Sequence, residues 1–404
     1  MRRERLAMLP LSQLLCSLHG IAEQRAMKIA IVGGGPAGLF FAYLMKREDP
    51  AHDVRVFERD PEGATYGWGV VFTDIALAFV RDIAPELYAS MTRGQEVFDT
   101  MRIVHRNVPV TLANNVFHRM ARVDLLKALH EHCRQTGVDL AFDNRIDDVT
   151  RFPDCDMIVA ADGANSTIRK RFASEFEPTI DVRPNKLAWY GTTQLFDPLS
   201  LIFRQNSDGL MIAHTYRYSR THSTFLVECD PVTWRQAGLD RMSEAESLAY
   251  CERAFVDDLE GHALLSNKST WFNYGIVSNR NWHTGNLVLL GDALRTGHPS
   301  VGSGTRLAMQ DSIALFEAAK AFPDDIPALL GRFERTRRPG SDALQDAAIK
   351  STEWYENLGP KLALDPISFA YDYLTRTGRV SHDDVRTRDP ALARAWEALH
   401  PGHA

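Results

Sequence analysis

The sequence predicts an α/β fold: a Rossmann-like nucleotide-binding domain with an inserted antiparallel-sheet domain and a C-terminal helical region. Three observations predict this fold. A strand, glycine turn, helix and strand pattern occupies residues 28–58, alternating aromatic-rich segments fill residues 178–282, and a buried-strand pattern returns at residues 286–290. We therefore expect the nucleotide-binding domain to be discontinuous in the chain.

The composition is that of an ordinary globular protein. Of the 404 residues, 45% are hydrophobic and 24% are charged, which argues against a disordered chain. The formal net charge of -6 argues against a nucleic-acid partner, because phosphate binding requires a concentrated basic face. No apolar run reaches the roughly 18 residues of a membrane-spanning helix, so we expect no membrane partner.

The cysteines and the N-terminal segment carry further expectations. Five widely separated cysteines without CxxC or Cys/His spacing favour reduced thiols in a cytoplasmic protein, with no bound metal. Residues 1–26 begin with arginines and continue through an interrupted apolar stretch without a small-residue cleavage site. We expect a disordered extension there, with Met27 opening the folded domain.

Residues 28–58 have the pattern of one βαβ unit. The β-branched run Lys28–Val32 predicts a buried strand, and Leu39–Arg47 carries apolar residues at helical spacing. Asp53–Glu58 predicts a second strand. We expect two parallel strands joined by a right-handed crossover.

A GxGxxG motif follows the first strand and opens the helix. Gly33 permits a tight turn, Gly35 lets a pyrophosphate approach the backbone, and Gly38 allows close packing of helix on strand. Glu58 lies about 20 residues further on, where an acidic side chain is expected to bind ribose hydroxyls. The residues predicted to bind the nucleotide here are Gly33, Gly35, Pro36, Ala37, Gly38, Glu58 and Arg59.

Two later segments indicate that the dinucleotide is FAD. Asp292 follows the buried strand Asn286–Leu290, at the strand end where open α/β sheets bind ligands, and its carboxylate suits a ribityl chain. Residues 299–304 then place glycines before a helix predicted over Thr305–Ala321, whose positive N-terminal end stabilises a negatively charged reduced flavin. A cofactor held near residue 35 and near residue 300 spans the domain, as FAD does.

Three motifs resemble those of the group A flavoprotein monooxygenases, the para-hydroxybenzoate-hydroxylase-like class with a GR2-type FAD domain. They are Gly33-x-Gly35-x-x-Gly38, Asp162-Gly163-x-x-Ser166-x-x-Arg169, and Gly291-Asp292 followed by Pro299 and Gly302-x-Gly304. Segments 67–72, 189–196, 213–218 and 223–228 resemble one branch more closely. That branch contains salicylyl-CoA 5-hydroxylase, 2-aminobenzoyl-CoA monooxygenase and the tryptophan hydroxylase of violacein biosynthesis.

The resemblance implies a role for each matched residue. Glu58 binds the adenosine ribose, Arg122 lies near the pyrophosphate and ribityl chain, and Asp292 binds the ribityl chain. Asp162 and Gly163 contact FAD and NAD(P)H. The further residues implied beside the flavin ring are Gly69, Val70, Gly302, Ser303, Gly304 and Thr305. Arg295 stands where many members have histidine, so we expect no proton relay there.

The resemblance also implies the reaction of a single-component monooxygenase. NAD(P)H reduces FAD, reduced FAD adds O2 as a C4a-hydroperoxide, and one oxygen atom is transferred to an aromatic ring. Water must be excluded, so aromatic side chains of the inserted domain are expected to cover the flavin, although most of them also suit a plain core position. They are Trp189, Tyr190, Phe203, Tyr216, Phe225 and Trp271.

Four residues are candidates for the chemistry. His214 and Tyr216 alternate along a predicted strand and therefore share one face. A hydrogen bond from such a group to a phenol or an amine raises the nucleophilicity of the ring. His298 and Pro299 lie in the segment expected to border the reacting edge of the flavin. A structural, partly buried histidine is the alternative for His214.

These expectations divide the chain and leave the substrate open. We expect an N-terminal extension (1–26), a first segment of the FAD-binding domain (27–177), a sheet-rich substrate domain (178–285), a second segment of the FAD-binding domain (286–345) and a C-terminal helical region (346–404). An aryl-CoA thioester such as salicylyl-CoA or 2-aminobenzoyl-CoA is the favoured substrate, acted on by a monomer or homodimer. A free aromatic or indole substrate and a non-oxygenase flavin oxidoreductase are the alternatives. Candidate partners for CoA phosphates are Arg204, Arg217, Arg220 and Arg241.

Overall fold

The computed structural model describes residues 25–64, 68–93, 95–301 and 304–402. Most of the predicted N-terminal extension (residues 1–24) lies outside the described residues, as do Gly302 and Ser303 of the predicted flavin site.

The strands of the described chain form three sheets. They are β1 (Lys28–Val32), β2 (Asp53–Phe57), β3 (Gly69–Thr73), β4 (Glu96–Phe98), β5 (Met101–His105), β6 (Val108–Leu112), β7 (Phe117–Ala121), β8 (Asp139–Ala141), β9 (Met157–Ala160), β10 (Pro178–Thr192), β11 (Leu199–Asn206), β12 (Gly209–Arg217), β13 (Ser223–Cys229), β14 (Leu264–Leu265), β15 (Phe272–Asn279), β16 (His283–Thr284) and β17 (Leu287–Leu289).

The helices lie between and after these strands. They are α1 (Pro36–Glu48), α2 (Asp74–Ile83), α3 (Pro85–Met91), α4 (Arg122–Thr136), α5 (Thr167–Arg171), α6 (Ala173–Phe176), α7 (Pro231–Gln236), α8 (Glu244–Ala254), α9 (Val256–Leu259), α10 (Gly304–Ala321), α11 (Ile326–Glu356), α12 (Pro366–Thr375), α13 (His382–Arg388) and α14 (Pro390–Leu399). Short 3₁₀ helices include Gly291–Ala293 and Pro299–Val301.

The nucleotide-binding sheet has the order β16-β17-β9-β1-β2-β8. β1 is parallel to both β2 and β9, with Lys28 opposite Asp53 and Val32 opposite Phe57, which confirms the predicted βαβ unit. Helix α1 begins at Pro36, three residues before the predicted start. Proline suits the first turn because its missing N–H has no helical partner there. The carboxyl ends of β1, β9 and β17 therefore meet at one edge of this sheet.

The second sheet has the order β14-β10-β13-β12-β11-β5-β6, with β15 also paired to β10. It contains the predicted antiparallel strands of residues 178–279, but it also includes β5 and β6 from residues 101–112. β5 pairs with β11 in parallel, with Met101 opposite Leu199. The sheet thus draws strands from both sides of the second motif, Asp162 to Arg169.

A small third sheet and the C-terminal helices complete the fold. β3, β7 and β4 form the small sheet, in that order. Trp354 of α11 and Phe369 of α12 pack edge-on against each other and against Phe203 of β11, which fixes the C-terminal helices on the second sheet. None of the helices described here is both long and apolar enough to cross a membrane.

The described residues of the chain hold four free thiols and no candidate metal cluster. Cys133, Cys229 and Cys251 are buried and Cys155 is partly buried, and none is in a disulfide. Within the same residues, no group of three or more His, Cys, Asp or Glu side chains is placed to hold a metal ion.

Candidate active site

The three glycines of the first motif have different surroundings. Gly33 has a φ of 113°, and a Cβ there would lie 2.2 Å from the Ala161 carbonyl oxygen. A Cβ on Gly38 would lie 2.2 Å from the Gly33 carbonyl oxygen. Gly35, in contrast, would have no atom within 4 Å of its Cβ. The fold thus requires Gly33 and Gly38, whereas Gly35 leaves space open in front of the start of α1.

Glu58 closes one end of this space. Its carboxylate accepts hydrogen bonds from the N–H groups of Gly34 (2.7 Å) and Asp60 (2.9 Å). A cleft of about 110 Å³ opens beside it. The residues that line this cleft include Gly34, Gly35, Glu58, Arg122, His130 and Phe142. Arg59 does not line the cleft: its half-exposed side chain pairs with Asp60 at 3.5 Å.

Helices α1 and α10 pack against each other and bring the first and third motifs together. The Ser312 hydroxyl donates a hydrogen bond of 2.9 Å to the carbonyl of Ala37. Gly291 has a φ of 60°, and a Cβ there would lie 2.7 Å from the Ala37 Cβ and 3.5 Å from the Ala308 Cβ. The two glycine-lined helix starts, far apart in the chain, therefore converge on one region.

Asp292, Arg122 and the neutral Tyr216 form a polar cluster at this junction, in which Arg122 interacts electrostatically with the other two. The Asp292 side chain is exposed to solvent yet surrounded by protein, as on the floor of a cleft. Burial raises the pKa of Asp292, and the Arg122 guanidinium opposes that rise. Burial lowers the pKa of Arg122, against the effect of Asp292 and Tyr216. Residues from three distant regions of the chain thus share one electrostatic environment.

Hydrogen bonds from the second motif hold the third motif in position. Asp162 accepts a hydrogen bond of 2.8 Å from the N–H of Thr167, the first residue of α5, and Ser166 is the N-cap of that helix. Gly163, which follows Asp162, has a positive φ of 85°. The fully buried Arg169 donates hydrogen bonds to the carbonyls of Ala293 (2.9 Å) and Ala164 (2.5 Å). This arginine fixes the Asp162 loop against the 3₁₀ turn that contains Asp292.

The segment predicted to lie beside the flavin ring rests on the second sheet. The Gly69 N–H donates to the Thr224 hydroxyl (3.1 Å), and the Tyr216 hydroxyl donates to the Gly69 carbonyl (2.9 Å). The Trp68 ring covers Gly191, where a Cβ would lie 2.7 Å from the ring. Val70 is buried. The second sheet and the small third sheet therefore meet at Tyr216 and Gly69.

His298 is buried just before the 3₁₀ turn that begins at the exposed Pro299. Its Nδ1 lies 2.9 Å from the Ser300 hydroxyl and 3.3 Å from the Ser300 backbone nitrogen. Its Nε2 is buried and has no hydrogen-bond partner among the described residues. Tyr274 packs edge-on against the ring at 5.1 Å. Burial lowers the pKa of His298 to about 4, so the ring is neutral at pH 7.

His214 binds a buried carboxylate that the sequence motifs do not single out. Its Nε2 lies 2.9 Å from Glu228, whose other oxygen accepts a hydrogen bond of 2.7 Å from Asn185. Burial acts to raise the pKa of Glu228, but its hydrogen bonds and electrostatic interactions, those with His214 above all, outweigh burial and hold that pKa below its usual value. The sequence feature that could have identified Glu228 is its position as the single acidic residue of Ser223–Cys229, a strand in which every residue is buried.

The six aromatic residues predicted to cover the flavin take different positions. Tyr190 and Phe225 lie in the core of the inserted domain, and Phe203 packs on Trp354 and Phe369. Trp271 donates a hydrogen bond of 2.6 Å to the Ser247 hydroxyl. Trp189 is partly buried in β10. Of the six, the structure brings Tyr216 to the Asp292 cluster.

The arginines named from the sequence are spread over the structure, and most of them lie beside acidic side chains. Arg295 stacks on Trp282 at 4.0 Å and pairs with Asp311 (4.0 Å), inside the protein. Arg204 forms a two-pronged ion pair with Asp258. Two of the other arginines lie beside acids, and the third is exposed. Arg217 lies 3.8 Å from Asp197, Arg241 lies 3.6 Å from Asp240, and Arg220 is exposed.

Two family models match the chain. An FAD binding domain matches residues 126–348, and an NAD(P)-binding Rossmann-like domain matches residues 31–102. The first match covers more than half of the chain and includes Asp162, Tyr216 and Asp292. The second covers the glycine turn and Glu58.

Named relatives match almost the full length of the described chain. A salicyloyl-CoA 5-hydroxylase from Streptomyces sp. is 36% identical, over 90% of this chain and 72% of the relative. A protodeoxyviolaceinate monooxygenase from Chromobacterium violaceum is 34% identical, over 87% and 94% of the two chains. A 3-hydroxy-4-methyl-anthranilyl-[aryl-carrier protein] 5-monooxygenase from Streptosporangium sibiricum is 33% identical, over 89% and 97%.

Solved structures of more distant proteins share the fold. The 2-methyl-3-hydroxypyridine-5-carboxylic acid oxygenase superposes with a TM-score of 0.66 at 16% identity, covering 92% of this chain and 96% of the other. Tetracycline destructase Tet(55) superposes with a TM-score of 0.64 at 17% identity, covering 88% and 96%. With the family models and the relatives at 33–36% identity, these findings show that the chain belongs to the FAD-dependent aromatic monooxygenases.

Proposed function

We propose that this enzyme hydroxylates the aromatic ring of an aryl thioester, such as salicylyl-CoA or 2-aminobenzoyl-CoA, with NAD(P)H and O2. The observation that carries the proposal is the convergence of Asp292, Arg122 and Tyr216 where the two domains meet. Support comes from Tyr216, which lies on the second sheet and donates its hydroxyl to the Gly69 carbonyl.

The residues at the junction fit FAD. The open space at Gly35 and the N-terminal end of α1 suit the pyrophosphate, with Pro36 and Ala37 forming the first turn. Glu58 suits the adenosine ribose, Asp292 suits the ribityl chain, and Arg122 lies between these ends. The start of α10, at Gly304 and Thr305, suits the flavin ring, as do Gly302 and Ser303, which lie outside the described residues. FAD supplies the hydride-accepting and oxygen-activating chemistry when bound.

The protein's own residues would bind the substrate and exclude water. Tyr216 holds Gly69 against the second sheet and closes the site from that side. His298, His214 and Glu228 would form one polar side of the substrate site, because Glu228 and His298 interact electrostatically. Pro299 follows His298 and would border the reacting ring. These roles would orient the aromatic ring and stabilise the oxygen substituent that makes it electron-rich.

Two observations favour a thioester over a free aromatic acid. Two of the three named relatives act, by their names, on a CoA ester or on an acyl group bound to a carrier protein. In addition, the pKa of Arg306 in the first turn of α10 is lowered by burial and then by the positive charges of Arg379 and Arg337. Arg337 is paired with the buried Asp311 at 2.6 Å, so the exposed Arg379 is the candidate partner for the phosphates of CoA or of phosphopantetheine.

A turnover assay with ¹⁸O2 tests the proposal. Salicylyl-CoA, 2-aminobenzoyl-CoA, salicylate and tryptophan would each be incubated with enzyme, FAD and NADPH, and the products analysed by mass spectrometry. We expect one ¹⁸O atom in an aryl-CoA product and none in salicylate or tryptophan. Hydroxylation of a free aromatic with no aryl-CoA turnover would instead establish the second candidate, an enzyme of free aromatic or indole metabolites.

Arg379 gives this proposal a specific variant. Arg379→Ala should raise KM for the aryl-CoA at least about tenfold, because it removes positive charge facing the phosphates, and should leave kcat nearly unchanged. Arg253→Ala, which removes an exposed arginine on α8, is the matched control. Equal effects of the two variants on KM would contradict the assignment. A monomeric or homodimeric state and a cytoplasmic location stay predictions.

A further inference from the structure

The tautomer of His298 is set by its own loop. The backbone N–H of Ser300 donates to Nδ1, so Nδ1 must present its lone pair and the ring proton of the neutral form resides on Nε2. The ring is neutral at physiological pH because burial disfavours its charged form. His298 therefore carries one donor, Nε2–H, and this atom is buried without a hydrogen-bond partner among the described residues.

The groups around His298 explain why this donor needs a partner from outside the chain. Glu228, on β13, has both carboxylate oxygens occupied by Asn185 and His214. Tyr274, on β15, presents its ring edge-on and donates its hydroxyl to the Gly297 carbonyl (2.8 Å). The other groups that act electrostatically on His298 are His214 and the cations Arg183 and Arg376, none of which is an acceptor for Nε2–H. A buried donor without an acceptor costs free energy, which a ligand acceptor would recover.

We propose that His298 is a fixed hydrogen-bond donor that selects substrates presenting an oxygen acceptor, either the phenolic oxygen or the acyl carbonyl, to Nε2. This proposal rests on the proposed function and gives His298 a role opposite to that of a proton-accepting base. A base would need the lone pair on the nitrogen that faces the substrate, and in this loop that nitrogen carries the proton.

The C-terminal helices hold the donor in place. The Ser300 hydroxyl lies 2.8 Å from the hydroxyl of Ser351 on α11, and the Arg376 Nε donates to Ser351 at 2.9 Å. Arg376 also donates to the Ser300 carbonyl (3.0 Å) and stacks on Tyr373 at 3.8 Å. Ser351 and Arg376 are thus positioning residues: they fix Ser300, and Ser300 fixes the ring of His298.

The first test reads the tautomer directly. In enzyme labelled with ¹⁵N in its histidine rings, His298 is assigned as the signals absent from His298→Gln. We expect Nδ1 to resonate as an unprotonated ring nitrogen and Nε2 as a protonated one at pH 7. A protonated Nδ1 would overturn the proposal. This measurement needs no substrate, so its result stands whether or not an aryl thioester is the natural substrate.

The second test exchanges the donor for an acceptor. Gln and Glu have the same shape, but Gln offers an N–H near the position of Nε2, whereas Glu offers only acceptors once it is ionised, so the comparison is made at alkaline pH as well as at pH 7. By calorimetry, His298→Gln should bind salicylyl-CoA within about fivefold of wild type, and His298→Glu about 10- to 100-fold more weakly. If His298→Glu keeps its affinity for salicylyl-CoA and His298→Gln loses it, residue 298 acts as a base, and the proposal is contradicted.

Benzoyl-CoA distinguishes the two acceptors, because it has the acyl carbonyl but no ring oxygen. If His298→Glu weakens benzoyl-CoA and salicylyl-CoA equally, the carbonyl is the acceptor; a loss confined to salicylyl-CoA identifies the phenolic oxygen. If wild-type enzyme binds neither ester, the thioester substrate is wrong, and the same Gln and Glu comparison with the aromatic compound that does turn over decides the role of His298.

Ser351 has a matched control on the same helix. Ser351→Ala should shift the His298 ring ¹⁵N resonances and raise KM severalfold. Ser341 is also fully buried on α11, but its hydroxyl has no hydrogen-bond partner among the described residues. Ser341→Ala should therefore leave the His298 resonances and KM unchanged. Unchanged resonances in Ser351→Ala would contradict the positioning role.

Discussion

Gly35 differs from Gly33 and Gly38 in what a side chain would meet at each position. Gly33 and Gly38 would each clash with a backbone oxygen at 2.2 Å, so their substitution damages the fold. Gly35 has ordinary backbone angles (φ -79°, ψ 175°) and open space before it. The motif thus combines residues required by packing with one residue required by the ligand, and only the structure separates the two.

Gly35→Val should therefore give a folded protein with little bound FAD. Valine tolerates these backbone angles, but its methyl groups would occupy the space assigned to the pyrophosphate. We expect a melting temperature of the apoprotein near that of wild type and at least about tenfold weaker FAD binding by fluorescence titration. Gly359→Val is the control, since that glycine also has open space around it and lies outside the site. If Gly35→Val purifies with the full flavin absorbance of wild type, the assignment of the pyrophosphate to the space at Gly35 is wrong.

Asp292 is the residue assigned to the ribityl chain. Asp292→Ala removes a charged acceptor, and hydrogen bonds to charged groups contribute about 1.5–3 kcal/mol each. FAD affinity should fall roughly 10- to 100-fold, whereas Asp240→Ala, which removes an exposed acid, should leave it unchanged. Full flavin content in purified Asp292→Ala would show that the carboxylate does not bind the cofactor.

His298 should make the protein's stability depend on pH. Its pKa is about 4 in the folded protein against an ordinary value of 6.5, so between these values the unfolded chain binds a proton that the folded one does not. Its contribution is therefore fully present above pH 6.5 and is lost as the pH falls toward 4, by up to about 3 kcal/mol. Glu228, whose pKa is also lowered, is expected to act in the same direction at lower pH.

His298→Gln isolates this contribution, because glutamine does not titrate. Between pH 7 and pH 5, urea unfolding should show a smaller loss of unfolding free energy for His298→Gln than for wild type. Parallel pH profiles for the two proteins would contradict the neutral, buried state of His298.

The sequence predicted individual strands and helices where their residue pattern was strong. It did not predict which strands pair over long distances in the chain. The β-branched run of β1 and the motif context of α1 predicted those elements within a few residues. Strands β4 to β7 were not predicted, because each is only three to five residues long, and β5 joins a partner about 100 residues away in the chain. Glu228 and the Ser300–Ser351 contact were missed for the same reason.

The close packing of α1 on α10 supplies a test at the scale of elements. Gly291→Ala would place a Cβ 2.7 Å from the Ala37 Cβ, between the two helices. Gly285→Ala has a similar left-handed φ of 55° but no atom within 4 Å, so it carries the backbone strain alone. We expect Gly291→Ala to lower the unfolding free energy by about 1–3 kcal/mol more than Gly285→Ala, measured by urea denaturation. Equal losses would mean that the helices do not meet at Gly291.

The whole molecule is organised around the junction of the two sheets. Arg183 of β10 forms an ion pair with Glu356 of α11, and Gln345 of α11 donates a hydrogen bond of 2.8 Å to Val277 of β15. With the Tyr216–Gly69 contact, these bonds fix the second sheet to α11 and to the small third sheet. The sequence predicted that two domains exist and which one binds FAD, since both follow from local motifs. It also predicted that the two glycine-lined helix starts converge and that the strand face carrying Tyr216 reaches the flavin site. It did not predict the individual contacts that fix the second sheet, because those join residues far apart in the chain.

A crystal structure of the enzyme purified with its flavin tests most directly whether one FAD spans from Glu58 to Asp292. We expect the adenosine ribose within hydrogen-bonding distance of Glu58, and the ribityl chain of the same molecule within hydrogen-bonding distance of Asp292. A flavin whose ribityl chain lies away from Asp292, or whose adenosine lies outside the Glu58 cleft, would contradict this arrangement.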